Sequence, residues 1–331
     1  MTFEDPEVAP AGLPSDRGET GPVFRVKDVI RPIAPETRGG AALIGFASDE
    51  GVRRNFGRVG AAQGPSAIRR VLERLPVHRP VAIFDAGDVA CTDQDLSGAQ
   101  ERLADALAAL LDRNIRPVVL GGGHEVAYGS FLGLAKHLSG RLATTKILVI
   151  NLDAHFDLRL APVPNSGTPF RQIAEFCAAH GAAFNYLCLG ISELSNTAAL
   201  FERADQLGVE YHLDEEMRQD DSPKLRARLA QKLTEADAVY LSIDLDVLPG
   251  SVAPGVSAPA AGGVALEIIE DLIGDVISSG KLALADIAEL NPALDRDDQT
   301  ARVAARLAYG LLLGRGRRGT ARVVARTHSD Q

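Results

Sequence analysis

Lys146-Ile-Leu-Val-Ile-Asn-Leu-Asp-Ala-His-Phe-Asp157 is an apolar run that ends in a burst of polar side chains. The apolar half, Lys146–Ile150, predicts a buried parallel strand. The polar half brings three metal-capable side chains, Asp153, His155 and Asp157, within five residues. On an extended backbone, positions two apart share a face, so the three would converge just beyond the strand. In open α/β sheets ligands bind at that edge, outside the carboxyl ends of the strands. Alone, the stretch fits a polar turn capping a strand equally well.

Two further segments decide between these readings. Arg116-Pro-Val-Val-Leu120 predicts another strand and runs into Gly121-Gly-Gly-His-Glu125. Its glycines predict a sharp turn that leaves His124 at the same kind of edge, with a helix over 125–138 behind it. Val239-Tyr-Leu-Ser-Ile-Asp-Leu-Asp-Val-Leu248 predicts a strand with Asp244 and Asp246 on one face. Burying two unpaired carboxylates costs several kcal/mol or forces protonation, and a bound cation removes that cost. The apolar neighbours Tyr240, Leu241, Ile243, Leu245 and Val247 fit an exposed edge strand poorly. His124, Asp153, His155, Asp157, Asp244 and Asp246 together supply two imidazoles and four carboxylates. That set suits two divalent cations a few ångströms apart. A carboxylate-rich site with some imidazole favours Mn2+, with Fe, Co, Ni and Zn left open.

The rest of the chain frames these segments. At 331 residues and 46% hydrophobic, the composition is that of a globular α/β protein. A net charge of −9 argues against non-specific nucleic-acid binding. No apolar run is long enough to span a membrane. Cys91, Cys177 and Cys188 lack metal-binding or CxxC spacing and predict reduced thiols in a cytoplasmic protein. Residues 1–22, with Pro6, Pro10, Pro14 and Pro22 among charges, read as a flexible tail without the apolar core of a signal peptide. From residue 40 strands and helices alternate. Strands are expected at 41–46, 81–84, 186–189 and 282–287. Helices are expected from Gly64-Pro65-Ser66, and over 97–113, 170–180, 196–207, 222–235, 265–278 and 297–313. Residues 51–60 and 159–171 read as loops. The pattern predicts a single α/β domain with a mainly parallel sheet and helices on both faces. Gly314-Arg-Gly-Arg-Arg-Gly319 matches GxGxxG but follows the last helix and opens no βαβ unit, so it does not predict a dinucleotide site. His78, His137, His180, His212 and His328 lie outside the three segments and are expected to bind no metal.

GGGHE, NLDAHFD and SIDLDVL, in this order and spacing, resemble the three metal motifs of the ureohydrolase (arginase/agmatinase) family, over residues 40–313. Gly51-Val-Arg-Arg-Asn55, Asn165-Ser-Gly-Thr-Pro-Phe-Arg-Gln172, Ala253-Pro-Gly-Val-Ser-Ala-Pro259 and Ala288-Glu-Leu-Asn-Pro292 resemble the branch that hydrolyses formimidoylglutamate. The resemblance implies a three-layer αβα sandwich over 23–331, assembled as a homo-oligomer, trimer or hexamer. It implies one Mn2+ on His124, Asp153, Asp157 and Asp244, and a second on Asp153, His155, Asp244 and Asp246. One departure stands out. Arginases and agmatinases carry a histidine in the loop after DAHxD, whereas here Pro164-Asn-Ser-Gly-Thr-Pro-Phe-Arg171 has none. That weighs against arginine or agmatine as the small-molecule substrate.

The reaction expected is hydrolysis of N-formimidoyl-L-glutamate to glutamate and formamide, in histidine degradation. A hydroxide formed between two Mn2+ ions would attack the formimidoyl carbon. Asp157 would accept a hydrogen bond from it, and Glu289 would pair with the amidinium. The substrate carries two carboxylates, so Arg159 and Arg171, with Ser166, are the expected binding residues, and Arg53 and Arg54 join them if their loop folds over the same edge. Two other readings stay open: a ureohydrolase acting on a guanidino acid, and a non-catalytic subunit whose site has decayed. All six candidate ligands being present speaks against the second.

Overall fold

The computed structural model describes residues 23–314. The proline-rich residues 1–22, most of the GxGxxG match and His328 lie outside the described residues.

Among the described residues nine strands form one sheet: β1 (Arg31–Pro32), β2 (Ala41–Ala47), β3 (Ile83–Ala90), β4 (Arg116–Leu120), β5 (Ile147–Leu152), β6 (Asn185–Ile191), β7 (Glu210–Leu213), β8 (Ala238–Asp244) and β9 (Leu282–Ala288). Their order is β1-β3-β2-β4-β9-β8-β5-β6-β7. Every pairing is parallel. The helices are α1 (Val26–Val29), α2 (Glu50–Arg54), α3 (Gly64–Leu72), α4 (Leu96–Leu111), α5 (Val126–His137), α6 (Pro169–Ala179), α7 (Ala198–Gln206), α8 (Ser222–Glu235), α9 (Leu266–Ser278) and α10 (Gln299–Leu313).

The period of two along each strand builds the three layers. In β5, Leu148, Ile150 and Leu152 join the core under α3, α8, α9 and α10. Ile147 and Val149 alternate with them and join Phe131 of α5, Phe170 and Ile173 of α6 and Leu200 of α7 on the opposite face. Leu103 and Leu107 of α4 cover the β2–β4 part of that same face. The chain is a three-layer αβα sandwich with a parallel sheet, as its alternation predicts.

Several boundaries differ from the sequence reading. β3 runs to Ala90, well past the apolar Ile83 and Phe84, because its polar residues lie at the exposed flank of the sheet. β7 and β1 were not expected: one is half-buried and the other two residues long, so neither shows an apolar pattern. Part of the early loop is the helix α2. β8 stops at Asp244, and Asp246 sits in a 3-10 turn over Leu245–Val247.

The fold collects chemistry at one place. β4, β9, β8 and β5 are neighbours at the middle of the sheet. Strand order runs outward from them in opposite senses, through β2 and β3 on one side and β6 and β7 on the other, which is a topological switch point. Asp244 is the last residue of β8, and His124, Glu289 and Asp153 follow the carboxyl ends of β4, β9 and β5.

Candidate metal centre

The backbone brings the six candidate ligands together by turns rather than by a shared strand face. β5 ends at Leu152. Asp153 Oδ1 then accepts the His155 backbone N–H at 2.6 Å, which bends the chain at once. Asp157 adopts φ 50°. On the other strand, Asp244 Oδ1 accepts the Asp246 N–H at 2.8 Å and caps the 3-10 turn. The expectation of an extended same-face array is therefore corrected: carboxylates closing tight turns replace the strand geometry. Glu289 also lies in the left-handed region, at φ 71°. For a non-glycine residue that costs roughly 1–3 kcal/mol, and such strain collects at functional sites.

The glycines of Gly121-Gly-Gly123 have another reason than the sharp turn expected of them. None has a positive φ. A Cβ on Gly122 would lie 1.7 Å from the Ser48 carbonyl oxygen, and one on Gly123 would lie 2.2 Å from Glu125 Oε2. The segment must pass against β2's end, and only glycine fits.

His124 sits at the centre and is 1% exposed. Its Nδ1 lies 3.1 Å from Asp153 Oδ2, 3.0 Å from Asp157 Oδ2 and 3.1 Å from Asp244 Oδ2. His155 Nδ1 lies 3.0 Å from Asp246 Oδ2 and 3.5 Å from Asp153 Oδ1. Two overlapping sets of donors result, His124–Asp153–Asp157 and Asp153–His155–Asp246, with Asp153 in both. Asp244 Oδ2 joins the first set beside His124 Nδ1, and its Oδ1 holds the backbone N–H of Asp246, a member of the second.

Charge is badly balanced in this nest. Burial, and then the neighbouring carboxylates, push Asp157 and Asp244 above the usual carboxylate range; burial likewise raises Asp246. Burial also acts to raise Asp153, but the imidazoles of His124 and His155 close to its two oxygens hold it below that range. Both imidazoles are held well above their ordinary value by the carboxylates, against the effect of burial.

Divalent cations fit these residues, and His124 Nδ1 shows it. The atom is buried and makes no hydrogen bond, although three carboxylate oxygens surround it almost equidistantly. One N–H can point at only one acceptor. Three oxygens each about 3 Å from one nitrogen have the spacing of donors at right angles to it around an ion with bonds of ~2.1 Å.

Residues behind the ligands were harder to foresee. His124 Nε2 is 2.9 Å from Ser242 Oγ, which donates to Asp286 Oδ1 at 2.6 Å, and Tyr240 donates to Asp286 Oδ2 at 2.6 Å. Asn151 donates to Asp153 Oδ2 at 2.8 Å. Glu125 takes the Ser48 hydroxyl and the Gly51 N–H at 2.8 and 2.9 Å, and burial pushes its carboxyl up to about 7. Glu289 Oε1 accepts the His124 N–H at 2.8 Å, and burial followed by the facing Glu125 pushes its carboxyl up to about 8. The sequence signal for Asp286 was only a carboxylate in the apolar run Leu282–Ala288.

The expected substrate residues divide. Arg159 is exposed two residues past Asp157, and no partner engages its guanidinium among the described residues. Its backbone N–H bonds to the Gly167 carbonyl at 2.9 Å. Ser166 is buried and accepts from Asn55 Nδ2 at 3.1 Å. Arg171 instead donates to the Arg159 carbonyl at 2.8 Å and pairs with Glu175. Its guanidinium braces the loop. The early loop does fold over this edge: Arg54 donates to the Pro164 carbonyl at 3.2 Å, and Arg53 and Arg54 both bind Glu50. Asn291 donates to the Arg58 and Val59 carbonyls at 2.9 and 3.0 Å and ties that loop to the segment after Glu289. Among the histidines outside the motifs, His137 pairs with Asp112 and His180 bonds to the Phe176 carbonyl, away from the nest.

The profile of the Arginase family matches residues 40–314. A curated formimidoylglutamase of Paraburkholderia xenovorans is 53% identical over 309 residues, 90% of this chain and 96% of that one. A formimidoylglutamase of Ralstonia nicotianae is 51% identical over 97% of this chain and 99% of its own. The crystal structure of formimidoylglutamase from Bacillus subtilis superposes with a TM-score of 0.80 at 26% identity, covering 93% of this chain and 96% of that one. A formiminoglutamase of Trypanosoma cruzi solved with Mn2+ superposes with a TM-score of 0.75 at 26% identity, covering 89% and 99%. A parallel αβα sandwich, six donors nested at its switch point and relatives alike over nearly their whole length lead to one conclusion: the chain belongs to the arginase family, on its formimidoylglutamase branch.

Proposed function

We propose that the chain hydrolyses N-formimidoyl-L-glutamate to L-glutamate and formamide, as a step of histidine degradation, with two Mn2+ ions per subunit. The observation that carries the reading is His124 Nδ1 among three carboxylates, in a chain about half identical to formimidoylglutamases. The manganese assignment is supported by the Mn2+ of the Trypanosoma cruzi structure and by the donor chemistry. His124, Asp153, Asp157 and Asp244 would hold one ion; Asp153, His155, Asp244 and Asp246 would hold the other. When bound, the pair supplies a water of lowered pKa and polarises the group under attack.

The chain's own residues do the rest. Asp157, turned toward His124 by its left-handed backbone, accepts a hydrogen bond from the attacking oxygen. Glu289 faces the amidinium, whose charge favours the ionised carboxylate that burial otherwise opposes. Addition of water makes the formimidoyl carbon tetrahedral. The bond to the glutamate nitrogen then breaks, giving formamide and the amine. Arg159 grips a substrate carboxylate, and Ser166 and Asn55 fix the loop that carries it. Arg171 acts by bracing that loop.

Family membership supports a homo-oligomer, trimer or hexamer. Cys91, Cys177 and Cys188 are all free thiols, which supports a reducing, cytoplasmic location. No described helix is long and apolar enough to cross a membrane.

The test is a substrate panel on the Mn2+-loaded protein. Formimidoylglutamate should release formamide and glutamate, and arginine, agmatine and 4-guanidinobutyrate should give little urea. A charged hydrogen bond to a carboxylate is worth roughly 1.5–3 kcal/mol, so Arg159→Ala should lower kcat/KM for formimidoylglutamate by about 10- to 100-fold with manganese content unchanged. Efficient urea release from a guanidino compound without formamide from formimidoylglutamate would establish the guanidino-acid reading instead.

A further inference from the structure

The two imidazoles of the nest are supported unequally. His124 is fully buried, and behind it runs a chain of three side chains. Its Nε2 meets Ser242 Oγ at 2.9 Å, and Ser242 meets Asp286 Oδ1 at 2.6 Å. Tyr240 holds the other Asp286 oxygen at 2.6 Å. His155 is 21% exposed at its side chain, and no protein group among the described residues takes its Nε2. The chain is built into the sheet, because β8 and β9 pair with Ser242 directly opposite Asp286.

Proton positions follow from the donors. Burial pushes the Asp286 carboxyl up, but the Ser242 and Tyr240 hydroxyls each donate to one of its oxygens at 2.6 Å and favour the ionised form, which only accepts. With its proton committed, Ser242 offers a lone pair to His124 Nε2, which must then carry the N–H. With the Nε2 hydrogen held by Ser242, the proton that leaves the imidazole when a cation arrives is the one on Nδ1, and the freed lone pair faces the space among Asp153, Asp157 and Asp244. That is the tautomer a metal ligand needs, and such outer partners commonly set ligand orientation and affinity.

We infer that Asp286 and Ser242 are positioning residues: acting through His124, they fix the imidazole tautomer and so set the affinity of one of two cation sites. The inference rests on the metal-centre reading above. It distinguishes the two sites of one subunit, since His155 has no such support. It also gives Asp286→Asn a specific consequence. An amide donating to Ser242 reverses the chain, so that the serine proton points at Nε2 and Nδ1 carries the hydrogen that blocks the cation.

The experiment titrates Mn2+ into the metal-free full-length chain, following free Mn2+ by electron paramagnetic resonance, with thermal melting of each metal-free variant alongside. Wild type should bind two ions per subunit. In Ser242→Ala and in Asp286→Asn one binding step should weaken by about 10- to 100-fold and the other by much less. The double variant should be no worse than the poorer single, because both act through one chain. Unchanged binding in both single variants would overturn the inference and leave the metal centre standing. Equal weakening of both steps in parallel with a fall in the metal-free melting temperature would also overturn it, by showing a merely structural role. A wild-type chain that binds no Mn2+ would overturn the inference and the metal centre together.

Discussion

Asp244→Ala is expected to lower turnover of formimidoylglutamate by at least about 10³-fold. The residue touches both halves of the nest: Oδ2 lies 3.1 Å from His124 Nδ1, and Oδ1 caps the turn that carries Asp246. On the proposed ligand sets its loss would remove a donor from each cation site, and it frees the Asp246 N–H that Oδ1 holds. Divalent cations supply several kcal/mol of transition-state stabilisation, and ~4 kcal/mol corresponds to about 10³ in rate. Melting should report the same loss. A ligand present at about a hundred times its Kd adds ~2.7 kcal/mol to the folded state, so the gain in Tm on adding Mn2+ should shrink or vanish in the variant. The metal-free baseline should not fall in proportion, because the substitution also removes a buried carboxylate held uncomfortably close to Asp246 and Asp153. Asp153→Ala should behave alike. A variant that keeps two ions and a near-normal rate would show that the donor sets are wrongly drawn.

Glu289→Gln is expected to separate binding of the metals from binding of the amidinium. The amide keeps an oxygen for the His124 N–H, which Glu289 Oε1 accepts at 2.8 Å, so the metal side of the site should stand. What disappears is the negative charge facing the substrate. Removing one partner of a buried ion pair costs about 3–5 kcal/mol, or roughly 10²- to 10³-fold or somewhat more in kcat/KM. Manganese content, measured by elemental analysis, should match wild type. A loss of metal with the activity would instead make Glu289 a scaffold for His124. Unchanged kcat/KM would remove it from the substrate site.

Much of this site could be read from the sequence because its ligands come in short clusters directly after apolar strands. Asp153, His155 and Asp157, Asp244 and Asp246, and His124 behind its glycines all announce themselves that way. The means of convergence could not be read. Alternation predicts a shared strand face, yet the carboxylates of Asp153 and Asp244 capture backbone N–H groups and fold the chain into turns. Nor could the need for Gly122 be foreseen, since it arises from Ser48, just past the end of a strand far away in sequence. Asp286 was the hardest. It sits in an apolar run with no motif of its own, and its meaning depends on the register that sets it opposite Ser242. Arg171 had the right charge and spacing for a substrate clamp, but an acidic residue one helical turn later, Glu175, engages it.

The joint action of two cations on formimidoylglutamate is tested most directly by following formamide release while Mn2+ is added to the metal-free protein. Turnover should be negligible without metal and with excess chelator. It should rise chiefly as the second ion per subunit binds, and level off once two are bound. Full formamide release from a demonstrably metal-free preparation, or full activity with one ion per subunit, would contradict it.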